Sequence, residues 1–319
     1  MNNQKKFIVS HAPFWHIGSG VPERNYNIIL ALIPAVAMGL AYFGVPALGV
    51  ICLSVSSAIA WELVFNKLAK LDITVGDGNA ALIGLLFGML LPATAPYWLV
   101  ITGTFFAIFI GKQIFGGIGS SPFNPAVLAV AILAISWKPY FDFDGQLVNY
   151  NFDFTARYLP QALKAFGPAA MAKINLGDLL IGKQVGGIGA TCGLALILGG
   201  LYLIARGFMR WEIPAAYIAG VVVTASIFHT VDPTRYAGPM LHLLIGYTLL
   251  GAFFLATDDS SSPVNPVPML IYGAMGGVMT ILIRNIGAYP DGTLYAILVI
   301  NLINPLIDKI RPKAIGKVA

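Results

Sequence analysis

The stretch NIILALIPAVAMGLAYFGVPALGVICLSVSSAIAWELVFN, Asn27 to Asn66, decides the fold. Its only charged residue is Glu62, and it divides at Gly44 and Val45 into two apolar runs, 27 to 43 and 46 to 66. Each run is close to the roughly 20 residues that an α-helix needs to cross a bilayer's hydrocarbon core. The two runs therefore read as a pair of membrane-spanning helices.

The same pattern continues outward to both sides. The 319 residues are 57% hydrophobic and only 10% charged, against about 25% charged in soluble domains. Runs centred on 79 to 92, 97 to 115, 124 to 137, 191 to 206, 212 to 229, 239 to 256, 266 to 283 and 292 to 307 complete a set of ten spans. The expected fold is an all-α polytopic membrane protein with about ten transmembrane helices. Aromatic residues at Tyr97-Trp98 and Trp137 to Phe141 suit the water interface. Cys52 and Cys192 have no metal-ligand spacing and read as small buried residues.

The net charge of +5 serves topology, and no nucleic-acid partner is expected; the surrounding partner is membrane lipid. With the first 26 residues read as a cytoplasmic segment that is no cleavable signal, Lys5, Lys6, Arg24, Lys67, Lys70, Lys112, Arg206, Arg210, Lys309, Arg311, Lys313 and Lys317 fall inside. Short outer loops hold Arg235 and Arg284, and five more basic residues lie in one long outer segment. The organisation that follows is a first five-helix half at 27–137, an outer-side segment at 138–190, a second half at 191–307 and a cytoplasmic tail at 308–319. An odd number of spans per half means that related halves are related by inversion, an arrangement common in transporters.

A second pattern keeps its orientation. SSPFNP, Ser120 to Pro125, recurs as SSPVNP, Ser261 to Pro266, so both loops should face the cytoplasm. Asn124 and Asn265 either start helices in the ordinary way, with Asn as cap and Pro at the first position, or line one site. Among intramembrane ionisable residues, Glu62, Asp258 and Asp259 are functional candidates, with pairing to Lys67 or Lys70 as the plain alternative. Asp77 reads as a loop or cap residue, and His229 and His242 as structural ones.

No dinucleotide fingerprint, phosphate-binding loop, zinc-binding His pair or nucleophile elbow is present. What remains is VGGIGATCGL, Val185 to Leu194, where glycines precede Thr191 at the outer end of the sixth span. Thr191 either caps that helix or carries a phosphate-linked group on its Oγ1, with the glycines admitting the group and helix amides favouring its charge.

The runs GDGNAALIGLLFGMLLPATAPYW, GKQIFGGIGSSPFNPAVLAVAIL and GGIGATCGLALILGGLYLI resemble the D subunits of Rnf complexes, the ion-translocating ferredoxin:NAD oxidoreductases. The resemblance extends from SHAPFWH near the N-terminus through SSPVNP. The chain is also similar to the B subunits of sodium-pumping NADH:quinone reductases, which usually carry a longer N-terminal region. The resemblance implies FMN joined through its phosphate to Thr191, with Gly187, Gly189 and Ala190 as the backbone of the FMN site. The stricter attachment signature has Asp and Ser or Thr where Val185 and Ile188 stand here, while GGIGAT satisfies the looser form of the D subunits.

The resemblance further implies a urea-transporter-like fold with two inverted five-helix halves, and a non-covalent riboflavin toward the cytoplasm with Asn124 and Asn265 as candidates for its pocket. It implies a bacterial or archaeal cytoplasmic membrane location and partners in Rnf subunits A, B, C, E and G. It implies a flavin transferase for maturation and indirect contact with ferredoxin and NAD through the complex. The expected function is electron transfer coupled to Na+ or H+ translocation; a flavin-free channel or a structural anchor are the rival readings.

Overall fold

The computed structural model describes residues 20–144, 152, 157–171 and 174–310. The SHAPFWH stretch, most of FDFDGQLVNYNFDF, and Lys5, Lys6, Lys173, Arg311, Lys313 and Lys317 lie outside the described residues. The described chain is all-α; its single β-bridge joins Tyr158 to Val185.

The opening stretch forms one helical element, α1 (Val21–Leu68), broken at Gly44, where φ is +65° and ψ is −150°. That left-handed φ costs glycine nothing but strains any residue with a Cβ, and Pro46 then restarts the helix. The chain reverses there. Asn25, near its start, donates from Nδ2 to the Asp77 carbonyl at 2.9 Å, and Asn66, near its end, donates to Thr74 Oγ1 at 3.0 Å. Both ends of α1 thus meet the same 74–77 turn, so α1 is two antiparallel arms.

The remaining spans are α2 (Asn79–Leu90), α3 (Tyr97–Phe109), α4 (Pro125–Ser136), α7 (Gly193–Ala205), α8 (Glu212–Val231), α11 (Pro266–Asn285) and α12 (Thr293–Ile307). Between α8 and α11 the expected span 239 to 256 is broken. It divides into α9 (Pro239–Leu244), a non-helical step with Gly246 at φ +65°, then α10 (Thr248–Leu250), which runs on as a π-turn over Gly251–Leu255. The long segment between the halves contains two further short helices, α5 (Leu159–Phe166) and α6 (Leu176–Ile181).

Four elements are long and apolar enough to cross a membrane: Val21–Leu68, Tyr97–Phe115, Glu212–Val231 and Pro266–Asn285. Of the shorter ones α2 is interior, whereas α7 and α12 keep an exposed apolar face at Leu198, Leu201, Leu302 and Leu306. In α2, ten of twelve residues are buried, so it has no lipid face to fill, and the irregular backbone after it is sheltered by protein. α8 and α11 lie backbone to backbone: a Cβ on Gly277 would stand 2.2 Å from the Tyr217 carbonyl oxygen, and one on Gly220 2.5 Å from that of Ala274. Small residues at such a contact allow the close packing on which membrane helices depend.

Contacts sort the turns into two ends. At one, Arg24 pairs with Asp259, and the Val264 amide faces Asp308. At the other, beyond Gly44, Phe43 meets Phe152 edge-on, Trp98 meets Trp137, and Lys164 donates to the Gly287 and Tyr289 carbonyls. The described chain therefore begins and finishes at the Arg24 end. It crosses five times up to α4 and five times from α7 onward, counting α9 and α10 as one crossing, so the two sets run in opposite senses.

Candidate functional site

At the Gly44 end, the chain enters α7 through Gln184 to Cys192. The glycines are set by neighbouring protein. The Ile188 amide donates to the Leu91 carbonyl at 3.1 Å and the Gly189 amide to that of Met89 at 3.0 Å. A Cβ on Gly187 would lie 2.7 Å from the Met89 oxygen and 2.7 Å from the Tyr247 ring; one on Gly189 would collide with the Met89 side chain. Ala190 closes the turn, its amide donating to Gly187 at 3.0 Å. The loop is thereby fastened to the end of α2.

Thr191 is 1% exposed. The cap position of α7 belongs to Cys192, no side chain caps that helix, and Thr191 Oγ1 has no hydrogen-bond partner among the described residues. The capping alternative therefore does not describe this hydroxyl. A buried hydroxyl without a partner is costly, about 1–3 kcal/mol. A phosphoester at Oγ1 would replace the unsatisfied O–H, and the free amides of a helix start suit an anion, but the hydroxyl is enclosed by protein, so a flavin there requires the loop to open.

Gln184, 3% exposed, holds this residue in place. Its Nε2 donates to the Thr191 carbonyl and to the Leu244 carbonyl, each at 2.8 Å, while its Oε1 is buried without a partner. Leu244 ends α9. The break that follows is held by a buried ion pair that sequence reading missed, having placed Arg284 in an outer loop. Arg284 instead lies in the last turn of α11, 2% exposed. It donates to Asp291 Oδ1 at 3.0 Å, Thr248 Oγ1 at 3.0 Å and the His242 carbonyl at 2.8 Å.

Asp291 also accepts from the amides of Tyr247 at 2.8 Å and Thr293 at 3.0 Å. Burial raises the Asp291 pKa, but the Arg284 guanidinium and these amides more than offset it, leaving the carboxyl below its ordinary range. Tyr247 completes the knot, its hydroxyl donating to the Leu90 carbonyl at 2.7 Å. The break in the eighth span, the end of α2 and the Thr191 loop are thus one packed unit. The signal available in the sequence was slight: a lone Arg closing an apolar run, and Asp-Gly-Thr before the last one.

A second feature lies at the Arg24 end, between the two halves. A cleft with room for about 120 Å³ is lined by Arg24, Asn25, Asn79, Phe254, Asp258 and Ser260 among others, smaller than the roughly 300–1,000 Å³ of small-molecule sites. A smaller recess beside it adds Lys112, Ser121 and Asn124. Asn124 is 1% exposed and fully engaged. Its Oδ1 caps α4 through the Ala126 and Val127 amides at 3.1 and 3.2 Å, and its Nδ2 donates to the Leu255 carbonyl at 3.1 Å. Asn265 differs despite the repeated motif. It precedes α11 without a side-chain cap bond, and it lines neither cleft.

Glu62 is wholly buried and pairs with Lys112 at 2.7 Å, not with Lys67 or Lys70; Thr74 Oγ1 donates to the same carboxylate oxygen at 2.8 Å. Asp258 accepts from Ser261, and Asp77 from the Asn79 amide at 2.7 Å. His229 Nδ1 lies 2.8 Å from the Tyr236 carbonyl, and His242 is sealed beside Arg284. Cys192 is buried as expected, but Cys52 is exposed on α1.

Comparison with known proteins finds relatives over nearly the whole chain. The chain is 37% identical over 309 residues to the D subunit of the Na(+)-translocating ferredoxin:NAD(+) oxidoreductase complex of Acetobacterium woodii, covering 96% of this chain and 94% of that one. It is 34% identical to the D subunit of the proton-translocating ferredoxin:NAD(+) oxidoreductase complex of Clostridium ljungdahlii, covering 95% and 94%. It is also 34% identical to the D subunit of the ion-translocating oxidoreductase complex of Cronobacter sakazakii, covering 97% and 99%. With residues 8–316 matching its pattern, the chain belongs to the NQR2, RnfD, RnfE family.

Proposed function

We infer that this chain is the D subunit of an Rnf-type complex, a membrane electron-transfer subunit that carries FMN on Thr191. Electron flow between reduced ferredoxin and NAD is coupled in that complex to Na+ or H+ translocation. The observation that carries the flavin reading is Thr191 Oγ1 itself, buried, unpartnered and at the uncapped start of α7. The relatives' names carry the complex: each is the D subunit of an ion-translocating oxidoreductase.

A bound flavin supplies one-electron transfer, and the protein positions it and sets its surroundings. Thr191 tethers the phosphate, and the first amides of α7 face its charge. Gly187, Gly189 and Ala190 shape the turn from which the tether leaves, anchored on Met89 and Leu91. A non-covalent riboflavin is assigned to the Arg24 end, where recesses of about 120 and 30 Å³ would have to widen to admit it; Asn124 acts there by fixing the start of α4 against Leu255, and Asn265 lies outside both recesses.

The Thr191 end faces outward and the Arg24 end faces the cytoplasm of a bacterial or archaeal cell. Arg24, Lys67, Lys112, Arg206 and Arg210 belong to turns of the Arg24 end, which supports that orientation under the positive-inside rule. Subunits A, B, C, E and G are the partners, and a flavin transferase loads Thr191.

Thr191→Ala tests the role. The variant complex should assemble, lack flavin on this subunit and lose ferredoxin-to-NAD turnover. Full turnover in the assembled variant would overturn the electron-carrier reading and favour an anchor.

A further inference from the structure

The turn between α7 and α8 and the loop before α11 enclose a further recess at the Arg24 end, with room for about 210 Å³. Arg24, Arg210, Asp259 and Ser262 form its polar wall, and Phe208, Met209, Ile213 and Met269 an apolar one. α8 and α11 both start here, and neither start has a side-chain cap. Two uncapped helix starts add partial positive charge to this corner of the fold.

Arginine is in excess around the recess. Arg24 pairs with Asp259, and Arg210 donates from Nη2 to Glu212 Oε1 at 2.9 Å. Arg206 has no ion-pair partner among the described residues, and its guanidinium lies 5.8 Å from the centre of the Phe208 ring. Asp258, the next acid, belongs to the neighbouring cleft, where Ser260 and Ser261 donate to it. Three guanidiniums thus stand against two carboxylates, a balance that one phosphodiester completes. The Arg210 side chain is 53% exposed, and the unspent donors of its planar fork match the oxygens of a phosphate.

Beyond the arginines the surface is apolar. Val264 on the recess wall is 70% exposed, and Val267, Leu270 and Ile271, all exposed, continue along one side of α11 at helical spacing. Trp211, 58% exposed at the end of the α7–α8 turn, suits the water interface of a bilayer. A soluble anion makes no use of the apolar stripe, and an apolar partner helix makes no use of the arginines. A lipid with an acidic headgroup uses both.

We propose that this recess binds an acidic phospholipid. Its phosphodiester accepts from Arg210 and Arg24, and an acyl chain runs along Val264, Val267, Leu270 and Ile271. This site is independent of the flavin reading of Thr191.

Photo-crosslinking tests the occupant in the assembled complex. A benzophenone side chain replaces Val264 or, as a control, Val223, which is 57% exposed on α8, and is activated in native membranes. Lipid adducts at 264 should be about tenfold richer in acidic headgroups than those at 223. Equal composition at the two positions, or cross-linking at 264 to polypeptide with no lipid adduct, overturns the proposal.

The headgroup contact is read on the full chain in detergent by native mass spectrometry with added phosphatidylglycerol. Glu212→Gln removes the competing carboxylate, and the double variant Arg210→Gln with Glu212→Gln removes the guanidinium without stranding a buried acid. The double should bind phosphatidylglycerol about tenfold more weakly than the single, and the unaltered chain should bind phosphatidylcholine more weakly than phosphatidylglycerol. Equal binding in either comparison, or equally tight binding of inorganic phosphate alone, overturns the proposal.

Discussion

Thr191→Val exchanges a hydroxyl for a methyl group at a position 1% exposed. Both residues are β-branched, so backbone preference is nearly matched, and the change isolates the hydroxyl. In flavin-free protein the hydroxyl has no partner, so its removal recovers desolvation cost of about 1–3 kcal/mol. The added methyl contributes up to about 0.8 kcal/mol more, less any crowding. The expected result is a flavin-free variant more stable than flavin-free wild type by about 1 kcal/mol or more. A capping hydroxyl would give the opposite sign, a loss of about 1 kcal/mol. Both proteins would be made without the flavin transferase and unfolded reversibly in one mixed-detergent series. A variant less stable than wild type by about 1 kcal/mol would refute the description of Thr191 as an orphaned hydroxyl.

Lys112→Met strands the buried Glu62 carboxylate and should cost about 3–5 kcal/mol, whereas Glu62→Gln with Lys112→Met should recover most of it; detergent unfolding of the singles and the double gives the comparison. Asp291 is held below its ordinary pKa of 3.8, so its stabilising contribution is complete above that value and is lost as pH falls below it toward the folded-state value. Melting temperature measured from pH 7 down to pH 3 should therefore fall less steeply in Asp291→Asn than in wild type, although the variant starts lower. Gly44→Ala meets nothing within 4 Å and should cost only the backbone strain of its positive φ with ψ −150°, about 1–3 kcal/mol. Gly246→Ala has a similar φ, but its Cβ would sit 2.1 Å from Asp291 Oδ2, so its loss in melting temperature should be clearly the larger.

The two arms of α1 were legible because the run from Asn27 to Asn66 carries no charge but Glu62 and is divided by the Gly44-Val45-Pro46 step. The other spans were legible for the same reason. The break at Ile245 to Tyr247 was not, since a glycine in an apolar run marks close packing as readily as a bend. Arg284 was misplaced and Asp291 passed over because a charge near a helix end is usually solvated; here two elements bury the pair against a third, which is a tertiary fact. The two copies of SSPxNP promised equivalent asparagines, yet only Asn124 has a neighbouring carbonyl, Leu255, to anchor it. Thr191 stood out by motif, while Gln184, which holds it, has no signature of its own: its role depends on Leu244, sixty residues away.

The central claim is that Thr191 is a flavin tether, and the mass of the tryptic or chymotryptic peptide containing it tests this most directly. The peptide would be taken from active complex produced with its own flavin transferase. An increase equal to FMN less one water, localised by fragmentation to Thr191, is the expected result. An unmodified Thr191 in fully active complex would contradict the claim, and the buried hydroxyl would need another partner.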